Sequence, residues 1–174
     1  TDIVMLKNLM PQIADTYGMF YMRLVRKGVR KVYEPGSTFT IGKAVHLREG
    51  KDVTIIASGY CVAEAISAAK ILQEQGISAR VLNMFTWKPL DEQAVIEAAA
   101  ETGAIVTAEN HNVINGLGSA VSEVLAKHNP APVEMVGVQD EFGEVGPVDY
   151  LRERFGLTDE NITAAVHRVL QRKH

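Results

Sequence analysis

One stretch, Gly103 to Leu125 (GAIVTAENHNVINGLGSAVSEVL), restricts the possible folds of this chain more than any other. Ala104 to Ala108 is a short, nearly all-apolar run with the β-branched Ile105, Val106 and Thr107, the pattern of a strand buried on both faces. Polar side chains follow at Glu109, Asn110 and His111, where such a strand is expected to end. Asn115-Gly116-Leu117-Gly118 is a breaker cluster, after which Leu117, Val121, Val124 and Leu125 recur at helical spacing. Strand, polar loop, glycine turn and helix make half of a parallel βαβ unit. Such a unit displays its chemistry at the carboxyl end of the strand.

The alternation extends in both directions. Lys43 to Arg48 reads as an edge strand, and Val53 to Ala57 as a buried one. Ser58-Gly59-Tyr60 opens a helix with Val62, Ile66, Ala69 and Leu72 on one stripe, and Gly76 stops it. Arg80 to Met84 is the next strand. Asp91 then caps a helix whose Ala94, Val95, Ala98 and Ala99 face inward. Beyond Pro130 and Pro132, Val133 to Val138 forms the last strand, and a glycine- and acid-rich loop follows to Pro147. Tyr150 to Phe155 and Asn161 to Gln171 close the chain as helices, the second burying Ile162, Ala165, Val166 and Val169. The pattern predicts a three-layer α/β/α sandwich around a mostly parallel sheet.

Residues 1–37 differ. Ile3 to Ala14 has a helix-like apolar pattern broken by Pro11; Met19 to Val25 is rich in strand formers, and the basic residues Arg26, Lys27, Arg30 and Lys31 follow. One helix, one strand and a linker cannot enclose a core, so this part reads as the tail of another domain, bounded at Pro35-Gly36-Ser37. The chain opens on Thr1 rather than on methionine, as expected of a fragment or of a processed chain.

Charge and composition exclude several classes. A net charge of -3 over 174 residues disfavours a phosphate-backbone binder. No apolar run reaches the ~20 residues that a membrane-spanning helix needs, and no secretory signal is visible. Cys61 is the one cysteine, which rules out an internal disulfide and suits the reducing cytoplasm. His46, His128, His167 and His174 have no ligand spacing with one another, so no metal site is expected.

The remaining chemistry is open to two readings at each position. Gly116-Leu117-Gly118 at a helix start offers free N–H groups to a phosphate, but Val121 stands where a dinucleotide fingerprint has its third glycine. We therefore read the turn as structural. Glu109 and His111 either form an acid/base pair or satisfy loop backbone and a subunit contact. Cys61 near a helix N-terminus is either an acidified thiol or a small buried residue, and no nucleophile motif surrounds it. Neither Ser58 nor Ser119 sits in a Gly-x-Ser-x-Gly elbow, which disfavours a serine hydrolase.

Several segments, in order, resemble the C-terminal domain of transketolase. They are Asp52-Val53-Thr54-Ile55-Ile56-Ala57-Ser58-Gly59, then Val106-Thr107-Ala108-Glu109-Asn110-His111 with Gly116-Leu117-Gly118-Ser119-Ala120-Val121. Asp140-Glu141-Phe142-Gly143 and Arg154-Phe155-Gly156-Leu157-Thr158 complete the series. The similarity covers residues 38–174 and is strongest to transketolases that occur in bacteria as separate N- and C-terminal subunits. Residues 1–37, with Tyr21-Met22-Arg23-Leu24-Val25-Arg26, resemble the end of the preceding pyrimidine-binding domain.

The resemblance implies a five-stranded, mostly parallel sheet with one antiparallel edge strand. It also implies an enzyme that moves a two-carbon ketol unit between phosphosugars, using thiamine diphosphate and magnesium held by parts of the complete enzyme outside this chain. This chain alone would bind neither and would be inactive; its partner is the N-terminal transketolase subunit or domain, with homo-oligomer formation expected. The resemblance assigns Arg26 to the sugar phosphate, a role suited to the planar guanidinium. It further implies that the strands Val53–Ala57 and Ala104–Ala108 are neighbours with diverging connections. Ser58, Gly59, Glu109, Asn110 and His111 would then line the crevice between them, or a subunit interface. The alternatives are a stand-alone small-ligand or interaction module, or the equivalent domain of a 2-oxo-acid dehydrogenase beta subunit or a deoxyxylulose-phosphate synthase.

Overall fold

The computed structural model describes residues 1–25 and 28–173. Its centre is a five-stranded sheet formed by β1 (Val45–Arg48), β2 (Val53–Ala57), β3 (Ala79–Asn83), β4 (Ile105–Asn112) and β5 (Val133–Val138). In space the order is β1-β3-β2-β4-β5, with β1 antiparallel to β3 and every other pair parallel. The sheet is thus the mixed one expected, with its antiparallel strand at one edge.

Period-two alternation explains why the strands read as unbroken apolar runs. Val53, Ile55, Ala57, Val81, Val106 and Val136 face one side, where helices α2 (Cys61–Glu74) and α6 (Asp159–Gln171) cover them. Ile56, Leu82 and Ile105 face the other side, under α3 (Glu92–Thr102) and α4 (Leu117–His128). Burying each such Ile or Leu contributes about 1.5–3 kcal/mol. Three layers follow from two apolar sheet faces. Asp91 caps α3 as expected: Oδ1 accepts the Ala94 N–H at 3.4 Å, while Oδ2 accepts the Ala44 N–H at 3.0 Å and ties the edge strand to the cap.

The N-terminal part departs from the sequence reading in two ways. Helix α1 (Ile3–Asp15) runs through Pro11 without a break. Pro11 lies on the exposed face, and Met5 and Leu9 hold the opposite face against Tyr33 and Phe39, beside the partly buried Val45, Leu47 and Phe85. Met19 to Val25 is no strand; it is a segment without regular secondary structure whose Met19 and Tyr21 side chains are exposed to solvent. Strand propensity was present there, but no neighbouring strand pairs with it among the described residues. Arg26, expected to hold the sugar phosphate, follows this segment and lies outside the described residues.

The last helices begin slightly earlier than expected, with α5 at Val148–Arg154 and α6 at Asp159. Strand β4 is longer than expected and carries the site described next.

Candidate functional site

Strands β2 and β4 lie side by side in parallel, with Ala57 opposite Ala108. The chain leaves β2 through α2 toward β3, and leaves β4 through α4 toward β5 on the opposite side. Their carboxyl ends therefore form a topological switch point. The Ser58 N–H donates to the Ala108 carbonyl at 3.0 Å, which extends the pairing one residue past the end of β2. Gly59 then turns into α2 with φ of 56°, and a Cβ there would stand 3.0 Å from Asn110 Oδ1.

On the other strand the polar triplet does not end the ladder. β4 continues to Asn112, and its register against β5 slips from Ala108↔Val136 to Asn112↔Val138. Four residues on β4 thus advance against two on β5, a local irregularity of the ladder. Glu109 turns inward and is fully buried. Its Oε2 accepts the Leu117 N–H at 2.7 Å and its Oε1 accepts the Gly118 N–H at 2.8 Å. A carboxylate eight residues upstream therefore occupies the N-terminus of α4, satisfying two orphan donors and the positive end of the helix. Burial pushes the Glu109 carboxyl above its ordinary range, while the two amide donors pull it the other way.

His111 is occupied separately. Its Nδ1 lies 2.8 Å from the Asn112 carbonyl, and its ring meets Trp87 edge-on at 5.5 Å between centroids. Of the two readings for Glu109 and His111, the geometry favours the structural one, since each side chain is satisfied by a different neighbour. Asn110 presents its carbonyl to the Arg23 guanidinium, which donates at 2.6 Å across 87 positions of sequence. Ser58 is buried. Of the five crevice candidates, Asn110 alone lines the cavity of about 760 Å³ at this edge, together with Arg23, Tyr60, Val148, Leu151 and Phe155.

Beside that cavity lies a charged cluster that the sequence reading did not single out. Glu64 on α2 is 2% exposed, and its Oε1 accepts from Arg30 Nη2 at 2.5 Å and from Arg152 Nη1 at 3.2 Å. Arg152 Nη1 also reaches the Tyr60 hydroxyl at 3.4 Å. The signal was present: Glu64 interrupts the apolar face formed by Cys61, Ala65 and Ala68, where an acid needs a buried partner. Cys61 itself is buried, and burial with the nearby Glu64 and Glu109 carboxylates pushes its thiol up to about 12, so it is the small core residue rather than a nucleophile.

A doubly covered, mostly parallel sheet with an antiparallel edge and a polar switch point defines an open α/β domain. Residues 42–162 match the family described as "Transketolase, C-terminal domain", and the chain belongs to it. It is 51% identical over 173 residues to a 6-deoxy-6-sulfo-D-fructose transketolase subunit of Clostridium sp. (strain MSTE9), covering 99% of this chain and 54% of that protein. It is 41% identical over 157 residues to an apulose-4-phosphate transketolase subunit of Phocaeicola vulgatus, covering 90% of this chain and 50% of that one. A solved structure described as "Split gene transketolase, inactive beta4 tetramer" superposes with a TM-score of 0.96 at 46% identity, over 100% of this chain and 57% of the other. The chain therefore spans about half the length of these relatives.

Transketolases generally use thiamine diphosphate. The N-terminus of α4 does not fit its diphosphate, because the Leu117 and Gly118 N–H groups there are already taken by Glu109. Among the described residues no cluster of three His, Cys, Asp or Glu side chains is arranged to hold a metal ion.

Proposed function

We propose that this chain is the C-terminal part of a split transketolase that transfers a two-carbon ketol unit between anionic sugars. Thiamine diphosphate and magnesium are bound in the complementary N-terminal subunit and at its contact with a pyrimidine-binding domain. The observation that carries this reading is the extent of the likeness: the 51% identity runs over 99% of the chain, residues 1–37 included. A stand-alone module would have no reason to keep that N-terminal part. Its Tyr17, Met19 and Tyr21 are fully or almost fully exposed, apolar surface that a preceding domain or partner subunit would cover.

Within such an enzyme this chain contributes binding and positioning rather than proton transfer. The sugar names of both relatives carry an anion, a sulfonate or a phosphate. Arg26 is our candidate for holding that anion, because its planar fork matches tetrahedral oxyanions with two parallel donors. The switch-point residues Ser58, Gly59, Glu109, Asn110 and His111 act as scaffold or subunit contact. No helix of the described residues is long and apolar enough to cross a membrane. We place the enzyme in the cytoplasm and expect it to form a homo-oligomer of the paired subunits.

The test is reconstitution. The chain alone, supplied with thiamine diphosphate and magnesium, should show no ketol transfer, and addition of the N-terminal subunit should restore it on a ketose phosphate or a sulfonated ketose. Full activity of the chain by itself, or none with either donor class after reconstitution, would refute the proposal.

A further inference from the structure

We propose that Gln139 and Arg172 close the outer edge of β5 against strand addition, so that neither a second copy of this chain nor a strand of another subunit extends the sheet on that side.

A sheet that ends on a long, regular strand leaves a row of backbone groups unpaired, a template for a further strand. The two edges of this sheet differ in how complete a template they make. β1 has four residues, and its register against β3 shifts between His46 and Arg48, so it presents no regular ladder. β5 has six residues, and among the described residues no strand lies on its outer side. The Pro132 and Val138 carbonyls turn toward β4, where they accept the Ile105 and Val113 N–H groups at 3.0 Å each. Alternation along the strand then turns the carbonyls of Val133, Met135 and Gly137 outward.

All three outward carbonyls are taken by side chains of the same chain. Arg172 Nη1 donates to the Val133 carbonyl at 2.9 Å. Gln139 Nε2 donates to the Gly137 carbonyl at 3.0 Å and reaches that of Met135 at 3.4 Å. The Gln139 side chain therefore folds back along the strand it follows and lies where an added strand would bring its own N–H groups. Arg172 is itself held, since Nη1 also donates to Glu134 Oε1 at 2.6 Å, while Arg168 Nε donates to Oε2 at 3.0 Å. Burial works against the charge on Glu134, but the hydrogen bonds from Arg168 and Arg172 outweigh it and hold the carboxyl below its ordinary range. Glu134 thus stays ionised and keeps Arg172 on the first outward carbonyl. To seat a foreign strand, the Gln139 amide must be displaced and the half-exposed Arg172 guanidinium stripped of water. The long edge is protected by side chains where the short one is protected by its irregularity.

The test removes both caps from the 174-residue chain with Gln139→Val and Arg172→Leu together. Gln139 is exposed and Arg172 half exposed, so neither change touches the core. The light-scattering mass and the thioflavin T fluorescence of this double variant should rise with protein concentration several-fold faster than those of the wild type. In the associated material the Met135 and Gly137 N–H groups should become protected from hydrogen exchange. Gln139→Lys keeps a donor and adds a charge at the edge, and should associate no faster than the wild type. Gln93→Leu makes a comparable apolar change at an exposed position of α3 and should also behave as the wild type. If circular dichroism shows the double variant to be unfolded, Gln139→Val alone decides by the same readouts. Association at the wild-type rate or at that of Gln93→Leu, or exchange protection confined to residues outside β5, would overturn the proposal.

Discussion

Glu109 and Gly116 are fitted to each other: a Cβ on Gly116 would overlap Glu109 Oε2, the atom that receives the Leu117 N–H at 2.7 Å. The glycine is thus required by close approach rather than by a left-handed backbone. Glu109→Ala leaves two buried N–H groups without partners and should destabilise the chain by about 2–4 kcal/mol in denaturant titration. Gly116→Ala should be at least as damaging, since the Asn112 carbonyl also crowds that position. In the double variant the new methyl enters space vacated by the carboxylate. Its cost should fall short of the sum of the single costs by about 0.5 kcal/mol or more, and strict additivity would show that the two residues do not meet.

The same carboxylate should leave a signature in the pH dependence of stability. Burial raises the folded-state pKa of Glu109 above its ordinary 4.5, so the folded chain binds this proton more tightly than the unfolded one. The contribution is therefore complete below about 4.5 and is lost as pH rises through the folded-state value. Glu109→Gln should flatten that decline. An unchanged slope of stability against pH, from 4.5 upward, would show that the side chain titrates normally.

Asp2 titrates in the opposite sense. Burial raises its pKa, but N–H groups of Met5, Tyr33 and Val32 outweigh that effect and hold it below the usual carboxylate value. Its stabilisation is present above about 3.8 and is lost as pH falls through the lower, folded-state value. Asp2 thereby caps α1 and ties it to the chain entering the sheet domain. Asp2→Asn should cost about 1–3 kcal/mol near neutral pH and little in acid. Parallel denaturation curves at the two pH values will check it.

Particular residues show how far the sequence carried the reading. Strands β2, β3 and β5 were legible because apolar runs bounded by breakers admit few alternatives, and Asp91 was legible as a cap because its chemistry is local. The end of β4 was not. Glu109, Asn110 and His111 look like loop residues, but β4 runs on through them, so the alternation that puts Ile105 and Thr107 under α4 carries Glu109 to the same face. Pro11 misled for a related reason: a missing N–H weakens a helix locally, but Met5 and Leu9 pack against Tyr33 and Phe39 and hold it. The contact between Arg23 and Asn110 spans 87 positions, and no spacing rule reaches that far. Glu64 was within reach, since a carboxylate on an apolar helical stripe is itself a signal of buried ion pairing.

Cys61 offers a check on the whole sheet-and-helix core. It sits at the start of α2 with no exposure, and burial pushes its thiol up to about 12, with Glu64 and Glu109 adding repulsion to the thiolate. Thiolate is the reactive form, so both access and ionisation oppose modification in the folded chain. An aromatic disulfide reagent at pH 8 should therefore label Cys61 only as fast as α2 opens. The labelling rate should rise steeply with denaturant, in step with global unfolding. Glu64→Gln removes one of the repelling charges but not the burial, so it should leave the native-state rate within about threefold if α2 stays packed. Rapid labelling of the native wild type would mean that the carboxyl edge of β2 is open to solvent, which the packing of Val62, Ala65 and Ala69 against the sheet and α6 does not allow.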